Sequence, residues 1–124
     1  MSTVRVEPIE NYPALKMTWQ HDVRDLDVVN AFKQINTILQ NSTDPVFVVV
    51  DLSANPNFPL LTTIHEAIAP YRNPLLEEWL VIGSNWMARA VEGTLAKLTR
   101  QKNVRWFTKE VDVMDYLSTQ IDNA

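Results

Sequence analysis

Cysteine is absent from the 124 residues, which removes disulfides, thiolate nucleophiles and cysteine-ligated zinc or iron–sulfur centres at once. Glycine occurs only twice, too seldom to write a P-loop or a dinucleotide-binding fingerprint, so the usual nucleotide enzymes of parallel sheets are excluded. Histidine also occurs twice, as His21 and His65, far apart and without the neighbouring ligands at helical or hairpin spacing that a metal site needs. The longest unbroken apolar run is five residues, Val46 to Val50, against the ~20 that span a bilayer. The opening MSTVRVEPIE has an arginine at its fifth position and no apolar core, so no secretory signal is expected. A net charge of −4 disfavours a nucleic-acid partner, because such binding draws on phosphate neutralisation by a basic surface. These absences predict a cytoplasmic protein without cofactor, metal, catalytic residues or integral membrane contact, and so not an enzyme.

What is present is ordinary for a globular chain: 46% hydrophobic and 21% charged residues, with a length that suits one domain over residues 1–124. Val4, Val6 and Ile9 alternate with polar neighbours and Leu15, Met17 and Trp19 do the same, which predicts two strands joined by the Asn11-Tyr12-Pro13 turn; Pro8 places the first at an edge. From Asp25 the period lengthens. Val28, Phe32, Ile35 and Leu39 form one stripe of a helix that Asp25 or Asp27 would cap. Val46 to Val50 is apolar without alternation, so Val46 to Leu52 reads as a strand covered on both faces at the middle of a parallel sheet. Ile64, Ala67, Ile68 and Tyr71 predict a second helix, for which Thr63 and Glu66 have capping-box form, with Pro70 and Pro74 bracketing its end. Trp79 to Ile82 reads as a strand, Met87 to Leu98 as a helix capped by Ser84 or Asn85, Val104 to Phe107 as a strand, and Thr108 as the opening of a last helix through Val113, Met114 and Leu117. The order ββαβαβαβα predicts an α/β fold with a mixed, largely parallel sheet of about five strands and four helices.

With VVVDLS closing the central strand and a helix beginning after a short loop, the chain resembles the STAS domains of sporulation-type anti-sigma-factor antagonists. The later half, EEWLVIGSNWMARAVEGTLAKLTRQKNVRWFTKEVDVMDYL, is similar to the broader, SEC14-related group of such domains. The resemblance implies a regulatory domain that binds a protein partner, such as a regulatory kinase or an anti-sigma-like protein, through the start of the second helix. The antagonists carry Asp-Ser-Ser-Gly there and are switched by serine phosphorylation, which places nearly two negative charges beside the binding amides. The matching serine falls near Leu60 or Leu61, so the usual phosphoswitch is missing; Thr62 and Thr63 are the nearest hydroxyls and the candidates for phosphorylation. The SEC14 relation implies an alternative, a carrier or sensor of a small apolar ligand or lipid.

Candidate partner- or ligand-binding residues follow from position. Ser53, Asn57, Phe58, Leu60 and Leu61 lie in or just after the loop that leaves the central strand; Trp79 and Trp86 bracket the next strand–helix junction, so these side chains are expected to converge at one end of the sheet. Phe58, between Asn57 and Pro59, either folds back as a lid on the core or offers an apolar surface. Asp51 is expected to brace the turn that follows it. Six basic residues against one acid between Trp86 and Lys109 predict a solvated basic face. Pairing of the alternating edge strand Val4 to Ile9 would give a homodimer.

Overall fold

The computed structural model describes residues 3–122, with side chains through Gln120. Strand β1 (Val4–Pro8) runs antiparallel to β2 (Ala14–Trp19). Helix α1 (Asp25–Gln40) leads to β3 (Val46–Asp51), α2 (Leu60–Arg72) to β4 (Leu76–Ile82), α3 (Trp86–Thr99) to β5 (Val104–Phe107), and α4 (Glu110–Asp122) ends the described chain. The sheet order is β1-β2-β3-β4-β5, and every pair from β2 onward is parallel. Each crossover therefore steps to the adjacent strand, and β3 sits at the centre, as its unbroken valines require. β1 lies at the edge and stops at Pro8, which has no amide hydrogen to extend the ladder.

Alternation along the strands sends side chains to two cores. Val46, Val48, Leu15, Met17 and Trp19 join residues of α1, α2 and α3 in the larger one. Phe47, Val49, Leu80 and Ile82 meet Val113 and Leu117 of α4 in the smaller. β4 begins earlier than its apolar pattern suggests. Val46 pairs with Leu76 but Phe47 with Glu78, so Glu77 is an extra residue, and this bulge turns both Leu76 and Trp79 toward the larger core.

Three helix starts differ from the sequence expectation. Arg24, not an aspartate, occupies the N-cap of α1 without a side-chain bond; Asp25 and Asp27 lie in the first turn, where their charges favour the positive end of the helix dipole. α2 opens at Leu60 with Pro59 as N-cap, so Thr63 lies inside the helix and its hydroxyl donates to the Pro59 carbonyl at 2.7 Å instead of capping. α4 starts at Glu110, two residues beyond Thr108. The choice of Asn85 for α3 holds: its side chain accepts from the amides of Met87 and Ala88.

Candidate functional site

Four parallel strands, each followed by a helix, place all four helix starts at the carboxyl end of the sheet. That rim is held by a network of polar bonds. Asp51 Oδ1 accepts from the amide and hydroxyl of Ser53, at 3.0 and 2.6 Å, and Lys16 Nζ lies 3.8 Å from its other oxygen, so Asp51 braces the turn. Asn55 adopts the left-handed conformation, with its amide donating to Leu52. Asn85, buried, donates through Nδ2 to Asn55 Oδ1 at 3.0 Å and to the Pro56 carbonyl at 2.9 Å while capping α3. One side chain thus locks the loop after β3 to the loop after β4. Gly83 completes the junction at φ 120°, where an added Cβ would stand 3.2 Å from the Leu52 carbonyl oxygen. Ser53, Asn55, Ser84, Trp86 and Thr108 line a depression of about 340 Å3 across these loops.

The candidate residues divide. Asn57 is fixed by main-chain bonds: its amide donates to His21 and its carbonyl accepts from Val23. Phe58 turns inward, 7% exposed, with its ring edge-on to Trp19 at 5.2 Å. The lid reading is the one observed, and the residue presents no surface. Trp79 and Trp86 do not converge: Trp79 is buried in the larger core, while Trp86, on the first turn of α3, is 72% exposed. Leu60 packs partly against the core and Leu61 is 81% exposed. Thr63 is buried; Thr62 is half-buried and donates to Asp25 Oδ1 at 3.1 Å, tying the first turns of α1 and α2 together. Both histidines are exposed, and no group of three histidine or acidic side chains among the described residues is placed to hold a metal ion. No helix among the described residues is long and apolar enough to cross a membrane.

Two rim residues were not singled out from the sequence. Leu26 (68% exposed) and Val111 (59% exposed) are the second residues of α1 and α4, as Leu61 is of α2. Of the five large exposed hydrophobic side chains among the described residues, Leu26, Leu61, Trp86 and Val111 each stand on the first turn of a different helix. Their common feature is a helix start, invisible until the starts are located. The basic residues find separate roles: the Arg89 guanidinium lies 4.2 Å over the Trp106 ring, and Arg105 Nε donates to Glu78 Oε2 at 3.0 Å.

No family model and no curated protein matches the chain. Among solved structures, an uncharacterised protein of the DUF3478 family with a SpoIIAA-like fold, from Shewanella loihica PV-4, superposes with a TM-score of 0.63 at 12% identity, covering 92% of this chain and 91% of that one. The chain therefore has a SpoIIAA-like, or STAS-like, fold.

Proposed function

We propose that the protein is a non-enzymatic regulatory domain that binds a partner protein over the carboxyl rim of its sheet, with Leu61 and Trp86 as the main apolar anchors. The observation that carries this reading is the gathering of exposed apolar side chains on the helix starts, combined with a rim that Asn85 and Asp51 hold rigid. Aromatic and aliphatic side chains on a preorganised surface form the centre of protein interfaces, since little ordering is required on binding. The resemblance to anti-sigma-factor antagonists directs the partner, a kinase or an anti-sigma-like protein, to the same helix start. Leucine in place of the phosphorylatable serine makes the association constitutive at that position, and Thr62, bonded to Asp25, is the hydroxyl by which a kinase would modulate it.

The test is quantitative affinity capture from native extract with the wild-type chain and with Leu61→Glu and Trp86→Ser variants. The reading requires a partner retained by wild type and lost by both variants. Equal retention by all three would remove the rim as the contact surface.

A further inference from the structure

The sheet has two free edges, β1 and β5, and they differ. β1 ends at Pro8, which has no amide hydrogen, and Arg5 and Glu7 along it pair with each other at 3.0 Å. β5 is not blunted in this way. The amides of Trp79 and Gly83 donate to the carbonyls of Asn103 and Phe107, so by strand alternation the main-chain N–H and C=O groups of Val104 and Trp106 point away from β4. No further described strand lies beyond them.

The helix layer is also incomplete at this edge. α3 buries only Val91 and Leu95 of its own residues. Beneath it the larger core keeps a cavity of about 80 Å3 among interlocked rings: Trp19 stands edge-on to Phe32 and Phe58, Phe32 edge-on to Trp79, and Tyr71 stacks on Trp79. The cavity itself selects no ligand. Its wall is almost wholly apolar, its volume is about half the ~150 Å3 of an engineered cavity that takes benzene, and the unpaired side-chain donors of Trp19, Tyr71 and Trp79 have no accessible surface. What the cavity shows is the loose cover of α3 over β5. Ala88 and Glu92 of α3 and Val104 and Trp106 of β5, all in its lining, are only half-buried.

Charge sets β5 apart as well. The chain carries a net charge of −4, yet from Trp86 to Lys109 there are six basic residues and one acid, Glu92. Arg100 and Lys102 precede β5 and Lys109 follows it; all three are exposed and form no ion pair among the described residues. Within the strand, Val104 and Trp106 pack toward the larger core, whereas Arg105 lies on the other face and bonds Glu78.

We propose that the free edge of β5 takes an extended segment of a partner protein as a sixth strand, one in which apolar residues alternate with acidic ones. Main-chain bonds to Val104 and Trp106 supply the pairing, as in other cases of strand addition. The apolar side chains fall on the α3 face beside Val104 and Trp106, where burial is incomplete; the acidic ones fall on the opposite face beside Arg105, with Lys102 and Lys109 at the two ends. A second copy of the chain fits poorly, since joining two such edges brings like charges together. Leu61 and Trp86 belong to helix starts and not to this strand, so the edge and the rim stand or fall independently.

The experiment titrates the whole chain, labelled with 15N, with the peptide acetyl-Glu-Val-Glu-Val-Glu-Val-Glu-amide and, as control, with its lysine-for-glutamate counterpart. The expected result is a saturable shift of the Val104 and Trp106 amides, with slower hydrogen exchange at both, while the Leu61 and Trp86 amides stay unmoved. The acidic peptide should bind about tenfold tighter than the basic one, as a few surface ion pairs give, and added salt should shrink that ratio. Val104→Pro removes an outward N–H and leaves the bonds to β4, so it should weaken binding at least about fivefold. Lys102→Glu combined with Lys109→Glu, both on the exposed surface, should abolish the preference between the peptides, and serves if the proline variant does not fold. Absence of saturation, shifts confined to Leu61 and Trp86, equal binding of the two peptides, unchanged binding by Val104→Pro, or an unchanged preference after charge reversal would each overturn the proposal. Concentration-dependent broadening of the Val104 and Trp106 amides without peptide would overturn it too, by assigning the edge to a second copy.

Discussion

The two faces of the sheet solve the same packing problem with different completeness. On the α4 face seven buried residues among those described form the core, and described polar groups around them are paired. The hydroxyls of Tyr12 and Ser118 lie 2.8 Å apart, Tyr116 donates to Glu78, and Arg105 closes the set by bonding the other Glu78 oxygen with its guanidinium 4.6 Å from the Tyr116 ring. The opposite face has twenty-one buried residues among those described, three times as many, yet it holds the cavity and the three unpaired aromatic donors found among the described residues. Size of core and quality of packing are therefore separate properties here. In the smaller core most of the buried side chains are aliphatic, and its rings, Phe47, Phe107 and Tyr116, meet one another at one margin. The larger one is built from rigid rings whose edges and faces must be satisfied together, and a gap remains where they meet.

The sharpest way to break this comparison is to make one truncation on each face. Leu117 is fully buried in the α4 core, and Leu117→Ala should cost about 3 kcal/mol, within the ~2–5 kcal/mol that such deletions show. Leu95 is equally apolar and nearly as buried but borders the existing cavity, where part of its surface already lacks neighbours. Leu95→Ala should then cost about 1 kcal/mol less, because fewer dispersion contacts are lost. Urea unfolding of the two variants measures both; a larger loss at Leu95 would show that the cavity face is the better packed.

Asn85→Ala attacks the hinge between the rim and both cores. It removes a helix cap and leaves the carbonyl of the buried Pro56 without its donor, so a loss of about 2 kcal/mol is expected. Asn85→Asp should keep the cap but lose the bonds to Asn55 and Pro56, giving an intermediate value in the same unfolding measurement.

A smaller effect separates the faces by pH. The ordinary tyrosine hydroxyl ionises near pH 10.0, and burial with the Glu92 charge raises Tyr71 well above that. The folded state therefore binds the proton more tightly than the unfolded chain. Its contribution is complete below pH 10 and declines as pH rises toward the folded-state value. Tyr71→Phe should change stability little at neutral pH and make the alkaline decline shallower. A residual slope is expected from Tyr116, which burial and its bond to Glu78 also raise. Unfolding curves between pH 8 and about 11 test this; identical slopes would place the alkaline sensitivity elsewhere.

The legible parts of the fold were those dictated by local pattern. Val46 to Val50 has no alternation and could only be an inner strand; the helix stripes repeat at three and four residues; Asn85 has the side chain of an N-cap and serves as one. The illegible parts depend on distant residues. Phe58 is held inward by Trp19, from a strand far upstream. The bulge at Glu77 is set by pairing with β3, and it decides that Trp79 faces the cavity. Thr63 and Glu66 match a capping box, but Pro59 already supplies an extended residue that can start the helix earlier, and the threonine hydroxyl turns back to its carbonyl. Leu61 and Trp86 were singled out from the sequence, Trp86 in a convergence with Trp79 that is not observed, whereas Leu26 and Val111 were not, since their exposure follows from where their helices begin.

The smallest expected effect is on stability at the rim itself. Leu61 and Trp86 are large hydrophobic side chains, and in either core their removal would be severe. At 81% and 72% exposure they remain mostly in water in the folded state, so unfolding changes their surroundings little. Trp86→Ser and Leu61→Ser should therefore shift stability by no more than about 0.5 kcal/mol. A loss near zero would mean that folding does not require these side chains, as the proposed contact surface demands. A loss above about 1 kcal/mol in urea unfolding would instead assign them to the packing of their own helix starts, and the difference in packing between the rim and the cores would disappear.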